Sequence, residues 1–401
     1  MEPPLTFVPR ASPNFRAAEF FAGIGLARLG LERSGVGVVW SNDISAQKER
    51  VFTSHFGESA NHEFALQDLG TIPLNKLPQR LDMAWASFPC TDLSLAGGRA
   101  GLHRGTSSST FWHFIKALSA LGEGRPRLVV LENVTAFATS HSGKDIESAI
   151  RALNGLGYSV DVLSIDAKRF VPQSRPRLFL VASLNPPESN SSASDLRPGW
   201  LDSIFQNHTL RTHQAALPPA PLASTERLRD VVEHFTPDDS RWWDEERVGK
   251  FIASLSPHQF KRFELLRHAE EPSYRTGYRR MRDGKPRWEL RADDIAGCLR
   301  TARGGSSKQA VAVLGGGNVH IRWMTPLEYA RLMGAGDYSL KGIADGEAFN
   351  GFGDAVCVPV VEWLAAEYLV PELQRTARGE SPDTAVLNAE NVDFLLSKAA
   401  V

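Results

Sequence analysis

Apolar runs of strand length alternate with helical periodicity through the first 183 residues. Ala17 to Phe21 reads as a short buried strand, followed by a glycine turn and the helical pattern IGLARLGLERSG. VGVVWSND reads as a second strand that closes on Asp43, and a third is expected just before LQDLG. Further runs follow at LDMAWASF (81–88), LVVLEN (128–133), SVDVLSI (159–165) and LFLVAS (178–183), with helix-like stretches near 44–56, 109–121 and 143–155. Strands alternating with helices predict an α/β fold, a doubly wound parallel sheet that binds ligands beyond the carboxyl ends of its strands.

The pattern changes after residue 183. NPPESNSSASD and ALPPAPLAS are proline- and serine-rich and read as linkers. The spacing between Val248 and Arg267 predicts one helix, and YRRMRDGKPRWELR predicts a hairpin around Asp283-Gly284. EYARLMG and VCVPVVEWLAAEYL predict closing helices whose apolar residues are mostly core. The expected divisions are a catalytic domain at 1–183, a recognition domain at 184–317, a segment at 318–370 that returns to the first domain, and a charged, polar tail at 371–401, read as a surface helix or partly disordered.

Composition narrows the class. The chain has 401 residues, 42% of them hydrophobic and 23% charged, enough for a sizeable core and two domains. It holds no apolar run of membrane-spanning length, and its first residues lack the apolar stretch of a signal peptide, so a cytoplasmic location is expected. Cys90, Cys298 and Cys357 lie far apart without a CxxC pair, which suggests neither a disulfide framework nor a metal site. The net charge is only −1, but Lys261 to Lys308 carries 13 Lys and Arg against 7 Asp and Glu, interleaved with Tyr274, Tyr278 and Trp288. That stretch suits either a solvated basic face or a nucleic-acid surface.

Chemistry gathers at the expected strand ends. In FAGIG (21–25) the glycines let the backbone approach a ligand closely, and Asp43 at the end of the next strand can hold two ribose hydroxyls. The stretch is GxG followed by Leu26 and not the full GxGxxG, so a nucleoside without a pyrophosphate fits better. S-adenosylmethionine is the expected cofactor, with Phe21 stacking on its adenine and Asp68 near the exocyclic amine. SFPC places Cys90 after the fourth strand, where a thiol can be a nucleophile or a small buried hydrophobe. LENV ends a strand with Glu132 and Asn133. QSRPR places Arg175 and Arg177 on one side of the next element, because strand side chains alternate.

In this order FAGIG, FPC, ENV, QSRPR, TPLEYARLMG (325–334) and GFGDAVCVPV (351–360) resemble the motifs of the cytosine-5 DNA methyltransferase family. The resemblance covers 17–183 and about 315–370. It implies a Rossmann-like methyltransferase domain and a smaller target-recognition domain. It further implies that the Cys90 thiolate adds to C6 of a flipped cytosine, that Glu132 acts as an acid at N3, that Arg177 holds the base O2, and that Arg175 orders the catalytic loop or a phosphate. Cofactor contacts are implied at Phe21, Gly23, Gly25, Asp43, Ile44, Asp68, Leu69, Pro89, Asp354 and Val356. Duplex DNA is the implied partner; Arg279, Arg280 and Arg287 on the hairpin suit guanine edges in the major groove, as does Arg303 in RTARGGSSKQ, with phosphate contact the commoner role for any single one. GGRAGLHRGTSSS (97–109) matches the loop that closes over DNA in the family.

Three departures stand out: Leu26 where many members have glycine, Thr91 and Asp92 after the cysteine, and Asp354 in place of asparagine, although an Asp there can still start a helix. The expected protein is a monomeric enzyme of a restriction-modification system, with a cognate restriction endonuclease acting on the same site, or an orphan methylase. An RNA cytosine methyltransferase is the second reading, and a DNA-binding regulator that has kept the fold is the third.

Overall fold

The computed structural model describes residues 15–89, 109–189, 194–282, 284–301 and 308–378. Seven strands form the larger sheet: β1 (Phe15–Phe20), β2 (Val36–Asp43), β3 (Glu63–Leu66), β4 (Met83–Ala86), β5 (Leu128–Val134), β6 (Ser159–Asp166) and β7 (Pro176–Ser183). Their spatial order is β3-β2-β1-β4-β5-β7-β6, parallel from β3 to β5, with β7 antiparallel to both β5 and β6. The inverted β7 brings its first residues to the carboxyl edge of the parallel strands, and Val134 pairs with Arg177. Rows such as MAWA and LVVLEN are buried on both sides, which is why these strands read as continuous apolar runs and not as alternation.

Helices cover both faces. On one side lie α1 (Leu26–Arg33) and α2 (Ala46–Phe56); on the other lie α3 (Ser109–Ala120) and α4 (Lys144–Gly155). Ser45 caps α2 by accepting from the Lys48 amide at 3.3 Å, which fixes where the chain turns after Asp43. Gly30 lets α1 press against the C-terminal helix: a Cβ there would stand 2.6 Å from Val361 Cβ.

A second, antiparallel sheet of order β11-β10-β8-β9 is built from β8 (Ser273–Arg282), β9 (Lys285–Leu290), β10 (Ala310–Gly315) and β11 (Asn318–Trp323). The β8–β9 connection is the expected two-residue hairpin, with Arg282 paired to Lys285 and Gly284 at φ 72°. One face of the sheet, carrying Ala310, Ala312, Leu314, Ile321 and Leu290, packs on α5 (Glu245–Ser254) and α6 (Pro257–Arg267). The other face sends Val311, with Tyr274 and Val313, into the core of the larger domain.

Three expectations are corrected. The single helix expected at 248–267 is two helices, because Ser256 caps α6 and Pro257 occupies its first turn, and the residue before a proline resists helical geometry. The second sheet does not stop at 317, since β11 supplies an outer strand from 318–323. Leu196, Leu201, Leu210, Ala215 and Leu228, all beyond 183, are buried in the two core clusters of the larger domain.

After β11 come α7 (Pro326–Leu332), α8 (Asp345–Asp354), α9 (Val358–Leu364), a π-helical turn at Ala365–Leu369, and α10 (Val370–Ala377). The helix runs through the expected tail boundary at 371. Leu373 is buried, and Glu372 accepts from Ser183 Oγ at 2.9 Å, so residues 371–377 are docked on β7.

Candidate active site

The carboxyl edge of the larger sheet collects the expected motifs. After β1 the chain leaves the strand at Phe21, whose φ of 58° is left-handed, and turns through Gly23 and Gly25 into α1. Gly25 is at φ 77°, and a Cβ on it would meet the Phe52 ring at 2.6 Å, so the turn needs glycine for conformation and space alike. Glu19, only 2% exposed, lies on β1 beneath this turn, and burial, opposed by Arg28, pushes its carboxyl up to about 8. The sequence reading passed over it, although an acid inside the apolar run AAEFF was the available signal.

Asp43 ends β2 and holds the turn together: its Oδ2 accepts from the Gly23 amide and its Oδ1 from the Ser45 amide, both at 2.9 Å. Ile44 beside it is 69% exposed, an apolar side chain held out at the sheet edge. Asp68 caps the turn after β3, accepting from the Gly70 amide at 2.8 Å, with His113 Nδ1 at 3.8 Å. Leu69 is buried and Pro89 exposed. The donor set suits a nucleoside cofactor: a strand-end carboxylate locked to the glycine turn, an exposed apolar neighbour for an adenine face, and a second acid one strand away. Val356 is buried nearby in sequence to Asp354, which pairs with Lys48 Nζ at 2.9 Å. Asp354 is the last residue of α8 and starts no helix, because Ala355 leaves helical geometry and α9 begins only after Cys357.

Glu132 and Asn133 end β5. Asn133 Nδ2 donates to the Phe88 carbonyl at 3.0 Å, which ties the end of β5 to the segment entering FPC. Cys90 itself lies outside the described residues, as do 91–108 with most of the expected closing loop, and Arg303. Glu132 Oε1 stands 3.1 Å from Arg177 Nε, and the two side chains are 8% and 14% exposed. Arg177 also donates to the Pro176 carbonyl at 2.9 Å and reaches Cys298 Sγ at 3.8 Å.

Arg175 and Arg177 do converge, as alternation requires, but on a residue not foreseen. Arg175, 1% exposed, donates to Cys298 Sγ at 3.3 Å, to the Leu299 carbonyl at 2.8 Å, and to the carbonyls of Gly353 and Ala355 at 3.0 and 2.5 Å. Its three backbone contacts join β7 to the segment after β9 and the end of α8. Gln173 does the same work beside it, donating to the Leu332 carbonyl at 2.7 Å and accepting from the Leu299 amide at 3.1 Å. Burial raises the Cys298 thiol, and Arg175 and Arg177 outweigh it, so its pKa falls below the ordinary value. No pattern in the sequence singled out Cys298, whose place depends on contacts 121 and 123 residues away in the chain.

The hairpin separates its arginines by facing. Arg280 pairs with Arg287 across the strands, while Arg279 pairs with Trp288 on the other face. Glu289 lies 3.5 Å from Arg280 and 2.5 Å from Arg282. Among the described residues no carboxylate comes within 4.0 Å of Arg287, and its Nε is buried without a hydrogen-bond partner.

The profile of the C-5 cytosine-specific DNA methylase family matches residues 15–370. The chain is 25% identical over 378 residues to Type II methyltransferase M.HpaII of Haemophilus parainfluenzae, covering 89% of this chain and 90% of that one. It is 30% identical over 175 residues to Type II methyltransferase M.HhaI of Haemophilus parahaemolyticus, covering 43% and 50%. Among solved structures, the Dnmt2 methyltransferase of S. pombe shares the fold at a TM-score of 0.56 and 18% identity, covering 89% of this chain and 99% of that one. The chain belongs to the C-5 cytosine-specific DNA methylase family. It is a DNA (cytosine-5-)-methyltransferase, an enzyme that transfers a methyl group to cytosine in DNA, and the family draws that methyl from S-adenosylmethionine. Among the described residues no helix is long and apolar enough to cross a membrane.

Proposed function

We propose that the enzyme methylates C5 of a flipped-out cytosine within a specific duplex sequence, through a covalent bond between Cys90 and C6. The Glu132–Arg177 contact at the edge where the FPC segment begins supports this reading above all. Cytosine C5 is a poor nucleophile. Addition of a thiolate at C6 turns the ring into an enamine that can take an electrophilic methyl, and the bound cofactor supplies that methyl. A proton at N3 makes the addition easier, and Glu132 is the acid at hand. Arg177, positioned beside Glu132 and the Pro176 carbonyl, is the cation that holds the base O2. The C5 proton is then lost, the C6–S bond breaks and the thiolate is regenerated. C6 cannot be reached inside the stack, so the target base leaves the helix.

The cofactor reading rests on the glycine turn, Asp43, Ile44 and Asp68. Recognition of neighbouring bases is assigned to the second domain and its hairpin. The resemblance to Type II methyltransferases favours a restriction-modification setting, with a cognate endonuclease cutting the same sequence. Transfer of a labelled methyl from S-adenosylmethionine to duplex DNA and to transfer RNA tests the proposal, with Cys90→Ser as control. Incorporation into duplex DNA alone, lost in the variant, is expected; incorporation into transfer RNA alone, or into neither, overturns it.

A further inference from the structure

The helix-covered face of the second sheet gathers aromatic rings and cations. Trp243, Trp288 and Trp323 form a triangle with ring centroids 5.1 to 5.6 Å apart. Three cations sit on it. Arg247, from α5, lies 4.3 Å from the centroid of Trp243 and 5.1 Å from that of Trp323. Arg279 lies 5.7 Å from Trp288, and Lys308 lies 5.5 Å from Trp323 and 4.3 Å from Phe349 of α8.

Tryptophan faces attract cations and immobilise their stems, but they do not neutralise charge. Burial lowers the pKa of both Arg247 and Lys308; Arg279 adds to the effect on Arg247, and Arg247 to that on Lys308. Three like charges are therefore held close together. Asp244 offsets Arg247, and Asp345 offsets Lys308, only from a distance: among the described residues no carboxylate comes within 4.0 Å of Arg247 or Lys308, and Asp244 Oδ1 already accepts the Arg247 amide at 2.7 Å. The opposite face differs, because Glu289 there pairs with Arg280 and Arg282.

The location completes the argument. Phe349 lies one turn of α8 before Gly353, about 6 Å along the axis, and the Gly353 carbonyl is held by Arg175 of the catalytic cluster. The platform and the catalytic cluster therefore both touch α8.

We propose that Arg247, Arg279 and Lys308, backed by Trp243, Trp288 and Trp323, form a phosphate-binding face for the backbone of the duplex flanking the target base. The proposal rests on the enzyme's acting on duplex DNA. Phosphate contacts of this kind position the duplex without reading it, so the face contributes affinity and not sequence preference.

The test is the affinity of the full chain for a short mixed-sequence duplex, measured across a series of KCl concentrations with S-adenosylhomocysteine present. Arg247→Gln and Lys308→Gln should each shallow the slope of log K against log salt by about 0.9, and the double variant by about twice that. Arg247→Lys, which keeps the charge, should restore the slope. In methyl transfer the glutamine variants should raise KM for DNA and leave kcat at saturating DNA in place. An unchanged salt slope in the double variant overturns the proposal, as does a loss of kcat without a change in slope, which marks a structural role. A wild-type protein that neither binds nor methylates duplex DNA defeats the underlying functional reading instead.

Discussion

Glu132 and Arg177 meet at 3.1 Å although they lie on strands that run in opposite directions. The inversion of β7 makes this possible, since it sets the start of one strand beside the end of the other. Glu132→Gln keeps the shape of the carboxyl group but offers no titratable proton to the base. The expected result is a fall in kcat of roughly 10²- to 10⁴-fold, the usual worth of a positioned general acid, with S-adenosylhomocysteine affinity by calorimetry unchanged. Near-normal turnover would remove Glu132 from the reaction.

Glu19 predicts a pH dependence of stability. Its folded pKa of about 8 lies above the ordinary 4.5 of a glutamate, so the proton is held more tightly in the folded chain. The resulting stabilisation is fully present below about 4.5, declines as the pH rises, and is gone above about 8; it is on the order of 5 kcal/mol. Glu19→Gln should flatten that decline, which thermal unfolding at pH 5 and pH 9 reads directly. Parallel slopes for both proteins would mean that Glu19 is ionised in the fold.

The second domain is joined to the first by a buried ion pair. Arg322 of β11 and Glu328 of α7 are 1% and 0% exposed, and Glu328 also accepts from the Thr325 amide at 2.8 Å in the helix cap. Truncating one partner leaves a buried charge without its counterpart, at a cost of about 3–5 kcal/mol. Glu328→Ala should show this in denaturant unfolding, while Arg322→Met with Glu328→Leu should recover much of the loss. A single variant with wild-type stability would contradict the burial.

Arg287 and Arg280 should behave differently although they are cross-strand partners. Arg280 is partly neutralised by Glu289, whereas Arg287 carries a buried Nε without a hydrogen-bond partner. If Arg287 contacts a guanine edge, Arg287→Ala should cost about 1–3 kcal/mol at one base position and relax preference there. Methylation rates on a panel of single-base variants of the target, once it is mapped, decide this; a uniform loss across the panel assigns Arg287 to phosphate.

Local signals carried most of the larger domain. The apolar runs, the glycines of FAGIG and the acids closing β2 and β5 each depend on a few adjacent residues, so the strands and the motifs at their carboxyl ends could be read directly, whereas the inversion of β7 could not. What stayed hidden depends on distant contacts. Cys298 lies beside the two arginines only because β7 and the segment after β9 fold together, and Arg175 serves backbone carbonyls of residues more than 120 positions away. The break at Pro257 was legible in principle, because a serine followed by proline announces a new helix, but the apolar spacing across it suggested continuity. The tryptophan platform joins the residue before the cap of α5 with residues of β9 and β11, which no single stretch reveals.

The covalent step is tested most directly with duplex DNA carrying 5-fluorocytosine at the target position. Fluorine at C5 cannot leave as a proton does, so the reaction should halt with enzyme and DNA joined. Intact-mass analysis in the presence of S-adenosylmethionine should show one adduct, mapped by peptide digestion to Cys90 and missing from Cys90→Ser. No adduct with an active wild-type enzyme, or an adduct that persists in the serine variant, would contradict the account.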